Sequence, residues 1–105
     1  MNLTEKKCKP CEGGVPAMSK EQADELLKQV PTWTIKDWKV TKEFKFKNFV
    51  EAMEFVNKVA EIAESEGHHP DISISYSKVI IETWTHAING LSENDFILAA
   101  KIDKI

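Results

Sequence analysis

Residues 32–46 read TWTIKDWKVTKEFKF, and their pattern decides the fold. Trp33 and Ile35, then Trp38, Val40, Phe44 and Phe46, recur with a period of two. Lysines fill most of the intervening positions. A period of two puts alternate side chains on opposite faces of a strand, so one face is apolar and the other wet. The rhythm breaks at Lys36-Asp37, which predicts two antiparallel strands joined by a tight turn rather than one long strand.

Working outward, SKEQADELLKQV predicts a helix that Pro31 ends. Ser19 and Gln22 stand at capping-box spacing, and Ala23, Leu26, Leu27 and Val30 form an i, i+3, i+4, i+7 stripe. On the other side, Asn48 with Glu51 caps FVEAMEFVNKVAEIAESE, the longest helical pattern, which Gly67 terminates. Its expected buried face is Phe49, Met53, Val56, Ala60 and Ala63. DISISYSKVIIETWTH alternates again: Ile72, Ile74 and Tyr76, a turn near Ser77-Lys78, then a strand from Val79 to His86. On that strand Ile80, Glu82, Trp84 and His86 share one face, while Val79, Ile81, Thr83 and Thr85 share the other. After the loop NGLSEND, Ser92 and Asp95 start a last helix through Phe96, Leu98, Ala99 and Ile102. The predicted order is α-β-β-α-β-β-α, an α+β fold with a four-stranded antiparallel sheet and helices packed on one face.

At 105 residues the chain suffices for one domain, expected over residues 18–105 behind a flexible tail of residues 1–17. Seventeen acidic against fourteen basic residues give a net charge of −3, so no overall field attracts nucleic acid, and no direct binding to it is expected. No apolar run approaches the ~20 residues that cross a bilayer, so no membrane contact is expected. The stretch MNLTEKKCKPCEGG lacks the apolar core of a secretory signal, making the cytoplasm the expected location. Cys8 and Cys11 form a C-x-x-C without the second pair of a zinc ribbon or the strand-to-helix setting of a redox site.

The three histidines carry the chemistry. His68 and His69 sit side by side in EGHHPDISISY, between Gly67 and Pro70. Proline biases His69 to extended backbone, and neighbouring side chains in an extended segment point apart. That geometry disfavours a shared metal ion, and no cysteine or third histidine nearby completes a tetrahedral set, so no metal is expected. A hairpin that returns its second strand to the edge it left brings His86 back to the His68–His69 corner. Three imidazoles in one cleft can give and take protons near neutrality.

ESEGHHP, then Tyr76, then Thr85-His86, then GLSEND ending at Asp95, resembles the signature of the pterin-4a-carbinolamine dehydratases. Trp84, Ala87 and Asn89, and the Cys8–Cys11 segment, depart from the common animal form. The resemblance implies dehydration of 4a-hydroxytetrahydropterin, such as 4a-hydroxytetrahydrobiopterin, to the quinonoid dihydropterin in tetrahydrobiopterin recycling, with no cofactor. It implies His68, His69 and His86 as catalytic residues, with the backbone at Gly67 and Ala87 lining the pterin site. By their positions, Glu64 is placed to hold an imidazole or to stand in solvent at the helix end, Trp84 and Thr85 to wall the pocket or, for Trp84, to join the core, and Asp95 to meet the pterin or only to cap the last helix. It also implies a homodimer or homotetramer. Animal members of this family serve besides as dimerisation cofactors of a homeodomain transcription factor. Relatives in organisms without aromatic hydroxylases are linked to molybdopterin cofactor metabolism. The residues alone do not choose among these roles.

Overall fold

The computed structural model describes residues 3–6, 8 and 17–105; Cys11 lies outside them. Helix α1 (Lys20–Leu27) begins on the expected capping box, with Ser19 Oγ accepting the Gln22 N–H at 3.2 Å and Gln22 Oε1 accepting the Ser19 N–H at 2.9 Å. Strands β1 (Thr34–Lys36) and β2 (Lys39–Lys45) pair antiparallel. The intervening Asp37 and Trp38 both take positive φ, 51° and 60°. Trp38 therefore belongs to the turn and is 55% exposed, which corrects its placement on the apolar face.

Helix α2 (Phe49–Glu66) is capped by Asn48 Oδ1 on the Glu51 N–H at 2.9 Å and closed by Gly67 at φ 67°. Its buried positions are Ala52, Phe55, Val59 and Ala63. The expected face was thus rotated by about one residue: Phe49 and Ala60 are exposed, and only Ala63 of the expected set is fully buried. The cause is aromatic packing, because Phe55 meets both Phe44 and Phe46 of the β2 segment, at ring separations of 4.5 and 5.0 Å.

Strands β3 (Asp71–Ser75) and β4 (Lys78–Thr83) form the second hairpin, and its turn falls on Tyr76 and Ser77, one residue earlier than expected. β4 ends at Thr83, so His86 does not lie on the strand: it opens a single 3-10 turn, His86–Ile88. The backbone breaks because Thr85 pairs with Gly90 across a tight loop, in which Asn89 takes φ 52°. Gly90 is required there, since a Cβ would stand 2.6 Å from the Cβ of Ala17. Helix α3 (Glu93–Ile102) follows.

The sheet order is β1-β2-β4-β3 with every pair antiparallel. Val79, Ile81 and Thr83 are buried while Lys78, Ile80 and Glu82 are half-buried, and α2 and α3 cover the buried face. The core joins Trp33, Val40, Phe55, Ile81, Phe96 and Leu98. Lys42 also lies on the inner side of β2, its Nζ 4.7 Å from the centre of the Phe44 ring and 2.9 Å from Asp103 Oδ1, the oxygen that also accepts the Trp33 indole N–H.

Within residues 1–17, expected as a tail, Leu3 is buried in the core and Leu3–Glu5 forms a 3-10 turn against α3. The Cys8 N–H donates to Glu66 Oε1 at 2.8 Å, and Glu66 Oε2 pairs with Lys101 at 2.8 Å. Burial, and then the Glu66 carboxylate beside it, push the Cys8 thiol from 9.0 up to about 12.

Candidate active site

Three chain segments meet at the end of the sheet where β4 stops. The left-handed Gly67 turns the chain sharply out of α2, and Pro70 disfavours helical backbone at His69 just before β3. His68 and His69 therefore diverge. His68 turns inward: its side chain is 11% exposed and Nε2 lies 2.7 Å from Asp95 Oδ1. His69 turns outward, 64% exposed, with Nε2 2.9 Å from Glu64 Oε2.

Asp95 is 0% exposed, and its carboxylate is fully engaged. Oδ1 accepts the Thr83 hydroxyl at 2.7 Å as well as His68. Oδ2 accepts the Thr85 hydroxyl at 2.9 Å and the Ser92 N–H at 3.0 Å. The last bond is half of the capping box predicted from Ser92 and Asp95, so the residue that starts α3 also holds the histidine. An ionised carboxylate only accepts, so in the neutral imidazole the His68 hydrogen belongs on Nε2 and Nδ1 keeps the lone pair.

His86 stacks on Trp84, ring centroids 3.9 Å apart and planes 29° from parallel. The indole is pinned in turn by Nε1 donating to Asp71 Oδ2 at 3.1 Å. Lys39 Nζ stands 5.5 Å from the same indole ring. All three histidines line one open cavity of about 270 Å³, together with Gly67, Trp84, Thr85, Ala87 and Asn94. Glu64 and Asp95 are not among its lining residues: each reaches the cavity through a histidine. Among the described residues, no three His, Cys, Asp or Glu side chains are grouped to share a metal ion.

Sequence reasoning missed three residues. Asn94 lines the cavity but sits inside a helix start, where asparagine carries no signal. Ser92 was read only as a cap. Thr83 was grouped only with Val79, Ile81 and Thr85 on one strand face, although a hydroxyl beside such apolar neighbours is itself a sign of a buried partner.

Residues 16–105 match the family described as Pterin 4 alpha carbinolamine dehydratase. The chain belongs to this family. A Methylococcus capsulatus protein is 51% identical across 99% of this chain and 93% of its own length. A Halorhodospira halophila protein is 50% identical across 100% and 98%. The names of both assign them, provisionally, to the pterin-4-alpha-carbinolamine dehydratases. A crystal structure titled transcriptional coactivator/pterin dehydratase, from Brucella melitensis, superposes with a TM-score of 0.79 at 31% identity, covering 84% of this chain and 96% of that one. The α+β architecture is thus the fold of a pterin dehydratase, and the cavity falls on the segment whose residues carry the family signature.

Proposed function

We propose that the protein dehydrates 4a-hydroxytetrahydropterin to the quinonoid dihydropterin by histidine acid–base catalysis, and that its work is tetrahydrobiopterin recycling. The observation that carries this reading is the convergence of three imidazoles on one cavity, with one of them locked to a buried carboxylate.

The reaction breaks the C4a–O bond and forms a C=N bond. The leaving oxygen must gain a proton and a ring nitrogen must lose one, so that water departs. His68, with its hydrogen held on Nε2 by Asp95, offers the Nδ1 lone pair as the base. His86, exposed at the cavity and backed by the Trp84 ring, serves as the acid, since an indole face tolerates a protonated ring against it. His69 binds the pterin and, through Glu64, keeps a fixed ring orientation. Gly67, Trp84, Thr85 and Ala87 shape the walls. Such proton transfers supply about 10²–10⁴-fold, or roughly 3–5 kcal/mol of barrier.

The test is the dehydration rate of synthetic 4a-hydroxytetrahydropterin with metal-stripped protein. Acceleration of about 100-fold or more over buffer, unchanged by a chelator, is expected. A rate equal to that of buffer, or activity that a chelator abolishes and zinc restores, overturns the reading.

A further inference from the structure

The inner face of β4 carries Val79, Ile81 and then Thr83, all fully buried. A hydroxyl at that depth costs about 1–3 kcal/mol unless it is hydrogen-bonded. Its partner is Asp95 Oδ1 at 2.7 Å, the same oxygen that takes His68 Nε2 at 2.7 Å. Thr83 does not line the cavity. Its side chain reaches the site through the carboxylate.

We propose that Thr83 is a positioning residue for proton transfer at His68. The carboxylate is held by two donors on each oxygen, and its plane is set by all four. On the Oδ2 side, Thr85 and the Ser92 N–H anchor it to the loop and to the start of α3. On the Oδ1 side, Thr83 is the only donor other than His68 itself among the bonds described. Remove that hydroxyl and Oδ1 is free to follow the imidazole, while its charge falls on His68 alone. The ring then loses its fixed angle to the cavity, and the proton on Nε2 is drawn harder toward oxygen. The other walls, His69, Trp84, Thr85 and Ala87, are left in place, so substrate binding changes little. This assignment rests on His68 acting as the base in the reaction proposed above.

Two pairs of substitutions separate hydroxyl from methyl. Thr83→Val keeps the shape and removes the donor, while Thr83→Ser keeps the donor. Thr83→Ala against Thr83→Ser differs by the hydroxyl alone and serves if the valine variant folds poorly. Thr83→Val and Thr83→Ala are expected to lower kcat roughly 3- to 10-fold with KM within about 2-fold, and Thr83→Ser to retain most of the rate. In ¹⁵N spectra of the substrate-free protein, the His68 Nε2–H resonance shifts in the variants without the hydroxyl and returns in Thr83→Ser. Equal losses of kcat in the serine and alanine variants, or an Nε2–H resonance that does not move, overturn the proposal. If no form of the protein turns over the carbinolamine while the resonance still responds to the hydroxyl, the coupling stands and the dehydratase reading falls.

Discussion

His68 and His86 occupy opposite extremes, one almost enclosed and bonded to a buried carboxylate, the other exposed and stacked on indole. Replacing either with alanine is expected to lower turnover about 10-fold or more, and the double variant to lose less than the product, because groups that act as a unit are non-additive. Stability responds differently at the two positions. His86→Ala shifts the unfolding free energy by under about 1 kcal/mol. His68→Ala strips a donor from the buried Asp95 and costs roughly 1–3 kcal/mol. Denaturant unfolding alongside single-turnover kinetics checks both, and normal turnover in the folded alanine variants removes the histidines from the chemistry.

Between elements, the N-terminal segment is tied to the α2–α3 pair by Leu3, Cys8 and Glu66. The Cys8 thiol titrates near 9.0 when unfolded and at about 12 in place. Well below 9.0 neither state releases the proton and stability is unaffected. Between those values only the unfolded chain ionises, so stability falls as pH rises. Thermal unfolding from pH 8 to 12 should therefore decline more steeply in the native chain than in Cys8→Ser. The Cys8 sulfur lies 3.6 Å from the Asn94 carbonyl, a bond that serine can also donate. Cys8→Ser with Cys11→Ser is accordingly expected to keep turnover within about 2-fold.

The order of the elements was legible because each carried its own start and stop: the boxes at Ser19 and Ser92, the Asn48 cap, the left-handed Gly67. What was not legible depended on contacts between elements. The face of α2 is chosen by Phe44 and Phe46, which no helical periodicity contains. Trp38 alternates correctly yet serves a turn whose geometry follows from strand twist. The divergence of the histidine pair followed from Pro70, but the donors around Asp95 come from β4, the loop and α3 together, and only packing assembles them.

For the molecule as a whole, the outer strands of the sheet are β1 and β3, and among the described residues no further strand pairs with either. Ile74 on β3 is 40% exposed and Tyr76 in its turn 68%. Phe46 N–H donates to Ser77 O at 2.8 Å, which brings that turn beside the entry to α2, where Phe49 and Val50 are exposed. An unpaired edge beside apolar side chains favours self-association. Light scattering should give at least twice the chain mass of 11.9 kDa, and Ile74→Lys should lower it. A mass of one chain across the micromolar range contradicts this.

The stack of His86 on Trp84 gives the cleft an optical signal of its own. A protonated imidazole in face contact with an excited indole quenches its fluorescence, whereas a neutral ring does so weakly. The other two tryptophans stand elsewhere, Trp33 sealed in the core and Trp38 out in the β1–β2 turn. With Trp33 and Trp38 replaced by phenylalanine, the tryptophan emission left belongs to Trp84, and its brightness is expected to report the ring stacked on it. Proton movement in the cleft can then be watched in real time, without a dye and without substrate turnover.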